Sequence, residues 1–90
     1  MENVRLRMRL YGRVQGVNFR SSAKREASRL GLSGFAKNEP DGSVTVEVEG
    51  TRGAAAAFRM WAGTGPARAD VIRVESFEVS PVGGKGFAVS

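Results

Sequence analysis

From Val4 to Leu10, apolar and basic side chains alternate without a break: Val4, Leu6, Met8 and Leu10 occupy one phase, Arg5, Arg7 and Arg9 the other. That period of two predicts a half-buried strand. Between Gly12 and Gly16 the alternation stops in a polar stretch holding two glycines, and Phe19, Ala23, Ala27 and Leu30 then recur at helical spacing, with Gly31 as the stop. A short segment from Ser33 to Asn38 leads into Glu39-Pro40-Asp41-Gly42, whose Pro in second place and Gly in fourth suit a type I turn. The arm beyond it, Ser43 to Glu49, sets Val44, Val46 and Val48 against Thr45, Glu47 and Glu49, with Gly50 closing it, so the two arms form a hairpin. Ala54, Ala57, Phe58 and Trp61 predict a second amphipathic helix from about Gly53 to Ala62, ended by Gly63, Gly65 and Pro66. Ile72 and Val74 share one strand phase while Phe77 and Val79 fall on the other, which places a bulge near Glu75 and Ser76. Phe87 and Val89, beyond Gly83-Gly84, are spaced for a short last edge strand.

The order β-α-β-β-α-β, with a fifth short strand, predicts an α+β ferredoxin-like two-layer sandwich: two helices on one face of an antiparallel sheet. Ninety residues leave room for one domain, 1–90, and no repeat or linker interrupts it. The chain has no Cys and no His, which excludes a thiolate nucleophile, a histidine base and a zinc site of the usual ligands. Asp and Glu are scattered without metal-cluster spacing, so no metal is expected. A net charge of +5 favours anionic partners. Without an apolar run fit for a leader or a membrane span, the expected location is the cytoplasm, away from membranes.

Gly12-Arg13-Val14-Gln15-Gly16-Val17-Asn18-Phe19-Arg20 runs from a strand end through a turn into a helix start, a layout that aims several backbone N–H groups at one point. Arg20 adds a planar fork whose donors fit two phosphate oxygens. A plain loop with a solvated Arg is the alternative. Asn38, just before the turn, reads either as an Asx cap of its own turn or as a carboxamide that fixes a water molecule.

Leu10-Tyr11-Gly12-Arg13-Val14-Gln15-Gly16-Val17-Asn18-Phe19-Arg20, followed by Gly34-Phe35-Ala36-Lys37-Asn38-Glu39-Pro40-Asp41-Gly42-Ser43-Val44 and Gly50, resembles both signature segments of the acylphosphatase family, and the likeness extends to Gly65-Pro66. The resemblance implies the same sandwich and an enzyme that hydrolyses the carboxyl-phosphate bond of a small acyl phosphate without a metal or cofactor; a monomer is expected. By that likeness the amides of Gln15, Gly16, Val17, Asn18, Phe19 and Arg20, with the Arg20 side chain, hold the phosphoryl group, and Asn38 orients the attacking water. With no imidazole in the chain, a substrate phosphate oxygen is the expected proton acceptor. Asn18 stands where many members carry a smaller residue, and the basic or aromatic tail common in the family is missing after Ser90.

Two other readings share this architecture. The Arg5, Arg7, Arg9 face with Tyr11 fits an RNA-binding sheet, but such sheets stack bases on two or three exposed aromatics and Ser43 to Glu49 offers none, so no nucleic acid is expected. The plain account of these arginines is pairing with Glu47 and Glu49 across strands. Alternatively, the phosphate site serves a regulatory or carbamoyl-phosphate-handling module, as in larger maturation proteins with acylphosphatase-like domains.

Overall fold

The computed structural model describes residues 3–90. Strand β1 (Asn3–Arg13), helix α1 (Phe19–Arg29), strands β2 (Ser33–Asn38) and β3 (Val44–Thr51), helix α2 (Arg52–Ala62), and strands β4 (Asp70–Val79) and β5 (Phe87–Val89) follow in the order read from the pattern. They build one sheet, β4-β1-β3-β2-β5. Inward residues of the central strands, Met8, Leu10, Val44, Val46 and Val48, are fully buried beneath Phe19, Ala23 and Ala27 of α1 and Ala55, Phe58 and Ala62 of α2.

The sheet is mixed rather than wholly antiparallel. β1 pairs antiparallel with β3 and β4, and β3 antiparallel with β2, but β5 runs parallel to β2. Chain direction explains this: β4 ends where β2 begins, so a strand entering beside β2 at that end must run with it. As a result β1, β2 and β5 all finish at one end of the sheet, beside the start of α1.

Three further boundaries differ from the sequence pattern. The β4 irregularity lies at Ile72, opposite the step from Tyr11 to Gly12, and not near Glu75 and Ser76. Gly12 has φ +118°, and a Cβ there would lie 2.2 Å from the Asp70 carbonyl oxygen, so the backbones approach too closely for any other residue. Beyond it β4 is regular. Phe77 therefore faces outward opposite Arg7, while Ser76 and Glu78 face the helices and accept hydrogen bonds from Arg59 and Arg52 at 3.2 and 3.3 Å. In α2 the buried stripe is Ala55, Phe58 and Ala62, with Ala57 exposed. Four successive alanines carry no phase of their own; the rings set it, because Trp61 stands 5.5 Å from Phe19 and 5.4 Å from Phe58. Gly50 does not close β3, which continues to Thr51, the residue whose hydroxyl caps α2 by accepting from Ala54 N–H at 3.2 Å.

On the open face the arginines are paired, as the alternation led one to expect. Arg5 donates to Glu47 at 2.5 Å and to Glu49 at 3.0 Å, and Arg7 pairs with Glu47. Arg9 departs from that ladder, donating instead to Ser43 Oγ at 2.6 Å and Asp41 at 3.2 Å. Tyr11 donates to Glu75 at 3.2 Å, with Arg73 lying 5.0 Å from its ring centre.

Glu49 has a second task, accepting the backbone N–H groups of Val82 and Gly83 at 2.8 and 2.9 Å and so pinning the connection that feeds β5. The Val82 N–H first, then that of Gly83 and the Arg5 guanidinium, hold this carboxyl below its ordinary value of 4.5, against the opposing effect of burial. A lowered value in the folded state means that this contribution to stability is complete above pH 4.5 and fades as pH falls further. Protection of the Val82 and Gly83 amides against hydrogen exchange is expected to fall on acidification below that point, and to be low already at neutral pH in Glu49→Gln.

Candidate active site

The segment between β1 and α1 is anchored by two buried side chains, Val14 and Val17, with Gly16 and Asn18 turned outward between and beside them. Gly16 has φ 73° and Asn18 φ 69°, the latter the one non-glycine in the left-handed region among the described residues. Asparagine tolerates that region better than most residues, so Asn18 does not hinder the bend. Left-handed residues set within such a turn bring successive N–H groups to one concave side. Among the described residues, no protein oxygen accepts from the N–H groups of Gln15, Gly16, Val17 or Asn18. Nor does any side chain cap α1: the Asn18 carboxamide oxygen accepts from Ser21 Oγ at 2.5 Å instead. The positive end of the helix and the loop donors are thus left for an anion.

Arg20 and Asn38 come together with this loop around a cleft of about 420 Å³, whose walls also include Gly16, Asn18, Ser21 and Val89. Arg20 Nη1 donates to the Ser90 backbone oxygen at 2.6 Å. That oxygen also accepts the Asn38 N–H at 3.3 Å, while Ser90 N–H reaches Ala36 at 3.0 Å, so the end of β5 fastens both residues. A guanidinium has five donors, and one such bond leaves a fork for a second acceptor. This role of Ser90 was invisible in the pattern, since it depends on β5 running parallel beside β2.

Asn38 Oδ1 is buried and, among the described residues, has no hydrogen-bond partner. The Asx cap of the turn is made by another residue: Asp41 Oδ1 accepts from Ser43 N–H at 3.0 Å and from its hydroxyl at 2.5 Å. An acid two places before a serine was the signal for it. Two residues of the expected loop keep their side chains out of the cleft. Val17 points into the core, and Gln15 Nε2 donates to the carbonyls of Glu39 at 2.8 Å and Ser43 at 2.9 Å, so each can offer an anion only its main chain. Phe19, a residue only 2% exposed, contributes likewise.

The nearby carboxylates are committed elsewhere. Glu39 accepts from Thr45 Oγ1 at 2.5 Å, and that bond, aided by Lys37 and Arg9, holds its carboxyl below the ordinary range. Bonds from Ser43 do the same for Asp41. Among the described residues no group of three or more acids is placed to hold a metal ion, and no helix is long and apolar enough to cross a membrane.

Residues 6–89 match the family model described as Acylphosphatase. An acylphosphatase of Thermococcus kodakarensis is 47% identical over 89 residues, covering 99% of this chain and 98% of that one. Among solved structures, an acylphosphatase from Coxiella burnetii superposes with a TM-score of 0.94 at 31% identity, over 98% of this chain and 93% of the other. The acylphosphatase from Bacillus subtilis gives 0.93 at 32% identity, over 97% and 98%.

Proposed function

Since the chain belongs to the acylphosphatase family, we propose that its loop and Arg20 hold the phosphoryl group of an acyl phosphate while Asn38 places the water that attacks it. The observation that carries this reading is the buried Asn38 Oδ1, without a partner among the described residues, in a residue that lines the same cleft as Gly16, Asn18 and Arg20. A buried acceptor left unpaired costs about 1–3 kcal/mol, which is offset when a water donates to it.

Phosphoryl transfer passes through a loose transition state with charge on the equatorial oxygens, so the protein's task is positioning and charge stabilisation. The N–H groups of Gln15 to Arg20 and the free side of the Arg20 guanidinium take those oxygens. Asn38 Oδ1 accepts one hydrogen of the water and directs its lone pair at phosphorus. The bond from phosphorus to the acyl oxygen breaks as the new one forms, and the electron pair leaves with a carboxylate that needs no acid. The water's remaining proton passes to a phosphate oxygen of the substrate. Glu39 and Asp41, both held ionised and bonded to hydroxyls, are poor candidates for a base. On this reading residues 1–90 act as one domain and as a monomer.

Hydrolysis of benzoyl phosphate to benzoate and phosphate is the direct test. Because positive charge comes from Arg20 and the amides, the rate is expected to be unchanged in a chelator. No hydrolysis, or hydrolysis only with added divalent cations, counts against the proposal.

A further inference from the structure

We infer that Gln15 is a positioning residue, its side-chain amide locking the phosphoryl-binding loop onto the hairpin that carries Asn38. The inference rests on the roles proposed above for the loop and Asn38.

Both hydrogens of Gln15 Nε2 are used on one target: one meets the Glu39 carbonyl at 2.8 Å, the other the Ser43 carbonyl at 2.9 Å. These same carbonyls close the turn, Glu39 O accepting from Gly42 N–H at 3.1 Å and Ser43 O from Glu39 N–H at 2.8 Å. Glu39 follows Asn38 directly in the chain. The amide thus enters a hydrogen-bonded ring one residue from the carboxamide that holds the water. On its other side the loop is fixed by Val14 and Val17, both buried in the core. Gln15 is what ties it sideways to the hairpin.

The geometry has a chemical consequence. An in-line attack requires phosphorus and water to be held at a set separation, and a misplacement of about 1 Å costs up to roughly a hundredfold in rate. The loop places the phosphorus and the hairpin places the water, so a bond between the two segments fixes the distance that matters. Few side chains supply two donors from one nitrogen at this reach; a carboxylate of the same size has none and sets its own lone pairs against two carbonyls.

The test is a double-mutant cycle in the full chain, with benzoyl phosphate turnover and competitive inhibition by inorganic phosphate as readouts. Gln15→Ala is expected to lower kcat about tenfold with the phosphate inhibition constant changed less than about twofold. In the Asn38→Ala background, where no placed water remains to be misaligned, the same change is expected to cost less than about twofold. Should Gln15→Ala fail to fold, as judged by thermal unfolding, Gln15→Met keeps the side-chain length without donors or charge and takes its place. Equal losses in both backgrounds, or a loss of phosphate affinity with kcat retained, overturn the inference. A parent protein inactive on benzoyl phosphate overturns the function proposed above and this inference with it, whereas an active parent with additive losses overturns the inference alone.

Discussion

Arg20→Ala is expected to lose phosphate affinity and turnover together. The guanidinium sits on the cleft beside loop amides that have no acceptor among the described residues, with Nη1 tethered to the Ser90 oxygen at 2.6 Å. Two charge-assisted bonds to a phosphoryl group, at about 1.5–3 kcal/mol each, correspond to a fall in kcat/KM of roughly 10²- to 10⁴-fold. Arg20→Lys is expected to restore little of it, since an ammonium cannot reach Ser90 and grip two phosphate oxygens in one plane. Steady-state rates on benzoyl phosphate, with inorganic phosphate as competitor, measure both quantities. A phosphate inhibition constant unchanged in Arg20→Ala contradicts the assignment.

Asn38→Ala is expected to behave differently. Its Oδ1 is buried and unpartnered among the described residues, and in the proposed mechanism it touches the water rather than the phosphoryl group. Removing it should lower kcat by roughly 10²- to 10³-fold, the scale at which a single preorganised polar group acts, while inorganic phosphate binds within about twofold of the parent value. The contrast between the two variants separates holding the phosphoryl group from directing its attacker. Turnover at the parent rate in Asn38→Ala contradicts the water-placing role.

Much of this arrangement is legible in the sequence because it depends on short-range periodicity. The alternation of Val4 to Leu10 and of Ser43 to Glu49 gives two strands, and the Phe19, Ala23, Ala27 stripe gives α1. What the pattern hides is set by contacts distant in the chain. A strand of three residues, Phe87–Val89, carries no direction of its own; only the end at which β4 stops makes it parallel to β2. The bulge at Ile72 is imposed by Gly12 on the neighbouring strand, so the apolar spacing within β4 misplaces it toward Glu75 and Ser76.

The candidate site divides in the same way. Arg20 and Asn38 stand out in the two signature segments, and the structure brings both to one cleft. The roles of the Gln15 side chain and the Ser90 backbone oxygen escape a linear reading, because their partners Glu39, Ser43 and Arg20 lie elsewhere in the chain. Asp41, and not Asn38, caps the turn, which leaves the Asn38 carboxamide free of local duty. Composition narrows the chemistry without locating it: without His or Cys the chain offers no thiolate nucleophile and no imidazole base.

The most direct measurement is a crystal structure of the protein grown with inorganic phosphate. One anion is expected at the bend between β1 and α1, its oxygens within hydrogen-bond distance of N–H groups from Gln15 to Arg20 and of the Arg20 guanidinium, with Asn38 Oδ1 across from it and a water between them. Phosphate bound at another surface with this bend vacant, or Asn38 turned away from the bound anion, would contradict it.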